Sequence, residues 1–214
     1  MPGRVKTRLC PPLTPEEAAA LALAALEDTL AAVAASAAAR RVVVLDGEPG
    51  AWLPAGFEVE PQAGGGLGAR MAAAFAAVAT PALLIGSDAP QVTPRLLDAG
   101  LSALAQHDAV LGPAHDGGYW AIGLRRPAAG AFDGIPMSDP GTAAAQRARL
   151  AELGLSVAEL APLRDVDTIE DARAVADAAP AGRFAAAVGA LRLTGAPTRP
   201  ALNGRPPRPL PSLL

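Results

Sequence analysis

The sequence predicts an α/β fold in which a mostly parallel sheet is covered by helices on both faces. Short apolar runs rich in valine, leucine and isoleucine alternate with longer alanine-rich segments. Several of the longer segments begin with a helix-capping pattern. The apolar runs are continuous rather than alternating with polar residues, which is typical of strands buried on both faces. Such strands need a helical layer on each side, so the three observations together favour this fold class.

Helix start signals and apolar runs place the elements along the chain. Thr14 can cap the first helix, Pro15 suits its first position, and Glu17 can complete a capping box. Thr93 with Pro94 repeats this pattern. The predicted helices are residues 15–38, 68–79, 94–105, 142–154 and 169–178. The predicted strands are residues 41–46, 82–86, 109–111, 119–124 and 156–160.

The chain divides into one domain and a tail. Residues 1–193 are predicted to form a single domain, since the elements alternate without an internal repeat. From Thr194 onward the sequence has six prolines and three arginines, and it lacks acidic and aromatic residues. We therefore expect residues 194–214 to be a mobile extended tail.

Composition excludes several classes of function. The chain has 214 residues, 51% hydrophobic and 3% aromatic, with a formal net charge of -3. This charge offers no general attraction to nucleic acid or to an anionic membrane. No apolar run approaches the ~20 residues that a bilayer span requires. With Cys10 as the single cysteine and no signal peptide, we expect a soluble cytoplasmic protein.

Several catalytic chemistries are also disfavoured. His107, His115 and Cys10 cannot supply the usual ligands of a zinc site. Ser87 lies outside the G-x-S-x-G pattern of a hydrolase, and the chain has no phosphate-binding Walker A sequence. Trp52 and Trp120 are too isolated to form a stacking surface for single-stranded nucleic acid.

Asp88 is the first candidate for chemistry. Ligands of an open α/β sheet bind beyond the carboxyl ends of its strands, and Asp88 directly follows the apolar run 82–86 and Ser87. A carboxylate in this place suits Mg²⁺ or Mn²⁺, which prefer oxygen ligands. The alternative is a plain turn, because Asp and Pro also favour turns.

Two more acidic segments follow apolar runs. Residues 115–119, with the sequence HDGGY, lie between two predicted strands. Their paired glycines permit close approach to a ligand or simply form a hairpin turn. Asp165 and Asp167 lead into the helix that Thr168 caps, where acidic residues also stabilise the helix terminus.

Basic and glycine-rich segments complete the candidate site. Arg4, Lys6 and Arg8 alternate along the N-terminal segment, and alternate side chains of an extended chain project to one side. Phosphate is the natural partner of three such cations, and the alternative is a solvated basic terminus. A glycine-rich loop, residues 62–70, leads into the second predicted helix, whose free N–H groups favour anions. Its similarity to a dinucleotide-binding fingerprint is discounted, because Pro61 and Gln62 rather than a clear strand precede it.

Taken together, the motifs resemble those of a bacterial family. They occur in order over residues 2–178 and are PGRVKTRL (2–9), DTL (28–30), GARM (68–71), GSDAP (86–90), GPAHDGGY (112–119) and DVDT (165–168). The chain is similar to glycosyltransferase-like proteins of unassigned function (domain of unknown function 2064), which are described as nucleotide-diphospho-sugar transferases. It is more distantly similar to the 2-phospholactate guanylyltransferases. The resemblance implies a three-layer GT-A fold with a Rossmann-like nucleotide-binding sheet.

The resemblance also implies roles for individual residues. The implied nucleotide- and phosphate-binding residues are Arg4, Lys6, Arg8, Gln62, Gly66, Gly68 and Arg70. Asp88 would be the metal-binding and catalytic aspartate, with Asp167 as a second or water-mediated ligand of Mg²⁺ or Mn²⁺. Asp116 would act as a base or position the acceptor, in a pocket lined by Gly117, Gly118 and Tyr119. The implied partners are a nucleotide or nucleotide-sugar and a small-molecule acceptor, and the resemblance leaves a homo-oligomer open.

The chain departs from the family pattern in several places. The family has an apolar strand before the basic segment, and this strand is absent here. We expect a misassigned start, residues 190–193 or a partner subunit to account for it. Gly86 stands where an Asp-x-Asp motif would have its first acid, and Gly66, Ala69 and Met137 replace residues that the family commonly fills with Asp, Glu and Trp.

The sequence therefore predicts a metal-dependent transferase that uses a nucleotide-diphospho-sugar. Two alternatives stay open. One is a nucleotidyltransferase of the 2-phospholactate guanylyltransferase kind, which releases pyrophosphate. The other is a truncated nucleotide-binding protein without catalytic activity.

Overall fold

The computed structural model describes residues 6–79 and 81–191. Arg4 and the predicted tail 194–214 lie outside the described residues. The helices are α1 (Pro15–Ala34), α2 (Leu67–Val78), α3 (Pro94–Ala103), α4 (Thr142–Glu152), α5 (Ile169–Ala178) and α6 (Arg183–Ala190). The strands are β1 (Val42–Leu45), β2 (Glu58–Pro61), β3 (Ala82–Ile85), β4 (Ala109–Pro113), β5 (Tyr119–Leu124) and β6 (Val157–Glu159).

The helix start signals are confirmed at atomic detail. The Thr14 hydroxyl accepts the Glu17 N–H at 3.2 Å, and the Glu17 carboxylate accepts the Thr14 N–H at 2.8 Å. Thr168 forms the same reciprocal arrangement with Asp171 at the start of α5, and the Thr93 hydroxyl accepts the Leu96 N–H at the start of α3. The first helix ends at Ala34 rather than at residue 38, because the Ser36 hydroxyl donates to the Val33 carbonyl at 2.8 Å and so satisfies a terminal helix carbonyl.

The strands form two groups. β1 pairs with β2 in parallel, and the larger sheet has the order β3-β5-β4-β6. β3, β4 and β6 run in one direction, whereas β5 lies antiparallel between β3 and β4. Within residues 6–79 and 81–191, no strand pairs with the second edge of β1 or of β3.

Helices cover both faces of the larger sheet, which confirms the α/β three-layer class. On one face, Met71 and Phe75 of α2 pack in a cluster with strand residues such as Leu111 and Ile122, and α4 joins them. On the other face, Ala32 of α1 and Leu97 of α3 pack near Trp120. The central strands β4 and β5 are almost completely buried as a result.

A third cluster of buried hydrophobic residues lies on helices and on two connecting segments. It combines the first half of α1 with α5 and α6, and it includes Leu9 and Val166. Leu9 belongs to a short 3₁₀ turn, Thr7–Leu9. Leu9 and Val166 thus anchor the N-terminal segment and the segment after β6 to the same helices.

Four sequence expectations are corrected by the structure. The basic segment is not extended over its described part, because Thr7–Leu9 form a turn. The glycine-rich loop does follow a strand, β2, which the pattern missed because it is exposed and acidic. Helix α6 was not predicted from the alanine-rich sequence after Gly182. Ala190 ends this helix, so it is not part of a strand that replaces the missing one.

Within residues 6–79 and 81–191, no helix combines the length and the apolar character that a membrane crossing needs.

Candidate functional site

Four aspartates meet beyond the carboxyl ends of three strands. Asp88 follows β3, Asp116 lies in the turn between β4 and β5, and Asp165 and Asp167 lie between β6 and α5. The charges of the other three all act on Asp165. We refer to these four residues as the carboxylate cluster. The fold therefore brings together all three acidic segments that the sequence singled out.

Hydrogen bonds join the loops that carry these carboxylates. The Gln91 side-chain amide donates to the Arg164 carbonyl at 2.5 Å, which ties the loop after β3 to the segment after β6. The His115 N–H donates to the Leu163 carbonyl at 2.9 Å, which ties that segment to the turn between β4 and β5. Backbone groups thus fix the spacing of the cluster.

Lys6 brings a positive charge into the cluster. Its Nζ donates to Asp88 Oδ2 at 2.7 Å and to the Val166 carbonyl at 2.8 Å. The Lys6 side chain is only 17% exposed, and the residue has a positive φ of 49°. This backbone conformation is unfavourable for a non-glycine residue. The ammonium group is thus held beside Asp88 by two hydrogen bonds.

Arg8 forms the second ion pair of the site. Its Nη1 donates to Asp167 Oδ2 at 2.7 Å, and its side chain is 72% exposed. Exposed pairs of this kind contribute little to stability because water and salt screen them. Arg8 can therefore exchange Asp167 for another anion at small cost.

Asp165 has the most strongly shifted pKa of the cluster. Burial raises its pKa to about 7, and a hydrogen bond with Asp116 and the negative charges of Asp116, Asp88 and Asp167 act in the same direction. Neighbouring carboxylates disfavour simultaneous ionisation. Asp165 therefore keeps its proton up to near-neutral pH.

The turn that carries Asp116 is fixed by glycine. Gly117 has a φ of +92°, and a Cβ there would lie 1.9 Å from the Pro140 carbonyl oxygen. The Ala143 N–H donates to the Gly117 carbonyl at 2.9 Å, and the Gly118 N–H donates to Asp116 Oδ1 at 2.7 Å. The start of α4 thus holds this turn as a hairpin, and the approach of a ligand to its glycines stays a prediction.

Tyr119 points away from this arrangement of charges. Its hydroxyl donates to the Gln146 side-chain oxygen at 3.4 Å and lies 3.7 Å from Met71 Sδ. Burial raises the pKa of Tyr119 to about 12. The ring supports the floor of the site, and a direct contact with substrate stays a prediction.

The glycine-rich loop forms a separate polar surface at the start of α2. Arg70 Nη1 donates to Gln62 Oε1 at 2.9 Å. Arg70 Nε is buried and has no hydrogen-bond partner among the residues that the structure describes. Gly66 caps α2 without a side-chain hydrogen bond, and a Cβ there would meet open space. Gly68 packs tightly on Phe132 instead. In the described part of the chain, no hydrogen bond joins this loop to the carboxylate cluster.

Asp165 is a residue of the cluster to which the sequence assigned no role. Sequence reasoning named both carboxylates of this segment but gave a metal-binding role to Asp167 alone. Val166 between them is 2% exposed and packs in the helical cluster. A buried valine flanked by two aspartates was a usable signal, because alternate side chains of an extended segment share a side.

The donor chemistry of the cluster suits a divalent cation. Mg²⁺ is commonly held by one or two carboxylates together with waters and substrate phosphates. Asp116 and Asp165 are close enough to share a hydrogen bond, and the Lys6 ammonium already occupies a cationic position beside Asp88. Within residues 6–79 and 81–191, no three His, Cys, Asp or Glu side chains are placed to hold an ion by themselves. Substrate oxygens would have to complete any such coordination.

Comparison with known proteins places these residues in a wider group. Residues 19–139, more than half of the chain, match a family model described as "Uncharacterized protein conserved in bacteria (DUF2064)". The matched range includes Asp88 and Asp116. It ends before Asp165 and Asp167, and Lys6 precedes it. No curated protein matches the chain.

A solved structure supports the same grouping. It is the crystal structure of a protein from Desulfovibrio desulfuricans G20 that is provisionally assigned as a nucleotide-diphospho-sugar transferase. The two sequences are 30% identical, the TM-score is 0.75, and the match covers 82% of this chain and 81% of that chain. This likeness supports the Rossmann-like three-layer fold and a transferase-like function in general terms.

Proposed function

This chain belongs to the bacterial family DUF2064, and on that premise we propose that it is a metal-dependent transferase that uses a nucleotide-diphospho-sugar. The observation that carries the proposal is the contact of Lys6 with Asp88 and of Arg8 with Asp167. Two cations and four carboxylates share one edge of the sheet. Phosphate oxygens and a divalent cation are the partners that such a set accepts together.

The diphosphate group of the substrate binds at Lys6 and Arg8 in this proposal. Each charge-assisted hydrogen bond contributes roughly 1.5 to 3 kcal/mol. Lys6 keeps its bond to the Val166 carbonyl while it turns toward phosphate, so its position is retained. Arg4, the third predicted cation, lies outside the described residues, and its contact with phosphate stays a prediction.

Binding of phosphate at the two cations releases Asp88 and Asp167 from their ion pairs. Asp88 and Asp167 would then be free to hold Mg²⁺ or Mn²⁺. Such an ion would neutralise negative charge that develops on the diphosphate leaving group. Lys6 and Arg8 stabilise the same charge from the protein side.

Asp116 orients the second substrate and accepts its proton. An acceptor oxygen forms a bond to the sugar carbon as the bond from that carbon to the diphosphate oxygen breaks, and the electron pair leaves with the nucleoside diphosphate. The proton of the acceptor hydroxyl passes to the Asp116 carboxylate. Asp165, whose pKa is raised to about 7, shares a hydrogen bond with Asp116 and keeps its own proton near neutral pH.

A product assay tests the proposal. The protein is incubated with Mg²⁺ or Mn²⁺ and a panel of nucleotide-sugars and nucleoside triphosphates, and released nucleoside diphosphate and pyrophosphate are measured separately. We expect release of nucleoside diphosphate from one nucleotide-sugar, lost in Lys6→Ala and Asp116→Asn. Arg147→Ala is the matched control, because Arg147 also pairs with a carboxylate, Glu159, outside the site.

Other products would redirect the proposal. Release of pyrophosphate from a nucleoside triphosphate would identify a nucleotidyltransferase. Metal-dependent nucleotide binding by calorimetry without any product would identify a non-catalytic binding protein. Either result contradicts sugar transfer.

A further inference from the structure

A second concave region lies along α1. A cavity of about 550 Å³ opens between α1 and the loop that follows β1. Alanines of α1 line one side, Trp52 and Pro54 line the other, and Glu27 and Arg183 complete the lining. This volume lies within the range of pockets that bind small organic molecules. None of the residues proposed above for nucleotide or metal lines it.

The indole of Trp52 is positioned by its own loop. A Cβ at Gly50 would lie 2.7 Å from Trp52 Nε1, so only glycine leaves room for the ring against the loop backbone. The Leu53 N–H donates to the Gly50 carbonyl at 3.1 Å and closes the turn. Trp52 is half-buried. The ring is thus held by the loop and still contributes surface to the cavity.

The charges of the cavity are balanced. Glu27 Oε2 lies 3.5 Å from Arg183 Nε, which gives one negative and one positive group. Asp28 accepts the N–H groups of Arg183 and Phe184 at 2.9 and 2.8 Å, which fixes the start of α6 against α1. A balanced pair gives no net attraction to phosphate. It offers both a donor and an acceptor to hydroxyl groups.

A smaller cavity also lies along α1. It has a volume of about 340 Å³, shares Ala31 with the first cavity and is also lined by Gly182, the neighbour of Arg183. Its lining includes Pro90, which lies in the loop of Asp88.

We propose that the Trp52 cavity binds a neutral carbohydrate ring, as a subsite separate from the carboxylate cluster. The C–H bonds of a sugar ring carry partial positive charge and can stack on the negative face of an indole. Its hydroxyls can donate to Glu27 and accept from Arg183. The absence of net charge selects a neutral glycoside over a charged sugar phosphate.

Tryptophan fluorescence tests the binding step without any turnover. The chain has two tryptophans, and Trp120 is only 4% exposed, so ligands in the cavity change the emission of Trp52. The full-length protein is titrated with methyl glucoside, methyl galactoside and methyl mannoside, without nucleotide or metal. We expect a saturable change with one of them and none with glycerol, which has hydroxyls but no ring.

Variants distinguish the cavity from other binding surfaces. Gly50→Ala displaces the indole and should weaken glycoside binding by about tenfold, as measured by calorimetry. Trp52→Leu should weaken it at least as much, and Glu27→Gln less. Gly189→Ala is the control, because Gly189 does not line the cavity, has no positive φ, and a Cβ there would meet open space.

Three results would overturn the proposal. They are no saturable change with any glycoside, equal affinity in Trp52→Leu, and a response to free nucleosides but not to glycosides. Failure of the proposed function is separable, because it would appear as absent nucleotide turnover while glycoside binding persists. Glycoside binding that fails while nucleotide turnover persists would remove this subsite alone.

Discussion

The strand side and the helical side of the candidate site are built differently. Asp88 follows the partly buried strand β3 and Asp116 follows the buried strand β4, and hydrogen bonds to backbone groups hold both loops. Lys6 and Arg8 lie at the 3₁₀ turn Thr7–Leu9, which Leu9 anchors to the alanine-rich helices, and each reaches the site as one half of an ion pair. The comparison teaches that the strand side fixes the geometry, whereas the helical side supplies exchangeable charge.

A core truncation tests whether the two sides fold as one unit. Leu111 on β4 is completely buried, so Leu111→Ala should cost about 3 to 4 kcal/mol of unfolding free energy. Leu21→Ala on α1 should cost a similar amount in the helical cluster. Urea unfolding with a single transition is expected for both. Leu23→Ala is the control, since Leu23 is 44% exposed and the change should stay within about 0.5 kcal/mol.

Two separate unfolding transitions in either variant would contradict the expectation that the strand side and the helical side unfold as one unit. The helical cluster would then be an independent unit, and the positions of Lys6 and Arg8 would not depend on the sheet.

A glycine substitution tests the rigidity of the strand side. Gly117→Ala adds a Cβ that would clash with the Pro140 carbonyl at a residue with φ of +92°, and we expect a loss of ~3 kcal/mol. Gly134→Ala is the control. Gly134 also has a positive φ, but a Cβ there would meet open space, so backbone strain alone should cost about 1 kcal/mol. Equal losses in thermal unfolding would show that the contact with Pro140 is unimportant.

The helical side is tested by removing its cations one at a time. Lys6→Ala should weaken nucleotide binding about tenfold to a hundredfold, because a charge-assisted hydrogen bond is lost at a largely buried position. Arg8→Ala should have a smaller effect that fades with added salt, because Arg8 is exposed. Calorimetric titration measures both. Arg40→Ala is the control, since Arg40 pairs with Glu58 of β2, outside the carboxylate cluster. A similar loss of nucleotide affinity in Arg40→Ala would argue against a specific role for Lys6.

The pH dependence of stability tests the junction between the two sides. The pKa of Asp165 is raised to about 7 in the folded protein, above its usual value of 3.8. The folded state therefore binds more protons than the unfolded chain between these values, and stability falls as pH rises through this window. Asp165→Asn removes that loss and should be the more stable protein at about pH 8, by on the order of 1 kcal/mol after solvent screening.

Thermal unfolding at several pH values, with a chelator present, provides the measurement. The two proteins should converge near about pH 4, where the native carboxyl is protonated. Asp98→Asn is a control, because Asp98 accepts a backbone hydrogen bond outside the cluster. A wild-type profile that parallels Asp165→Asn throughout would mean that the four carboxylates are not coupled.

The sequence predicted most of the local structure of the fold. Thr14, Thr93 and Thr168 cap helices as expected, and Gly154 adopts a positive φ after α4. The apolar runs became β1, β3, β4, β5 and β6. Strand β2 was missed because its residues are exposed and acidic, and α6 because its start lacks a capping side chain.

The candidate site was predicted only in part. Asp88, Asp116 and Asp167 were found because each follows an apolar run, a position that depends on local sequence alone. The relation of Asp165 to Asp116 could not be read in this way, because it arises from the meeting of two loops. The same holds for Lys6, whose predicted extended conformation is wrong and whose contact with Asp88 depends on a turn packed against Val166.

By itself, the sequence determined the order of helices and strands and the residue types that follow each strand, because capping and apolar patterning act over a few neighbouring residues. Only the tertiary structure decided which carboxylate faces which cation and where the proton of the cluster resides. Those properties depend on the distances between side chains of segments far apart in the chain and on how deeply these side chains are buried. The packing of the segments in the folded protein sets the distances and the burial.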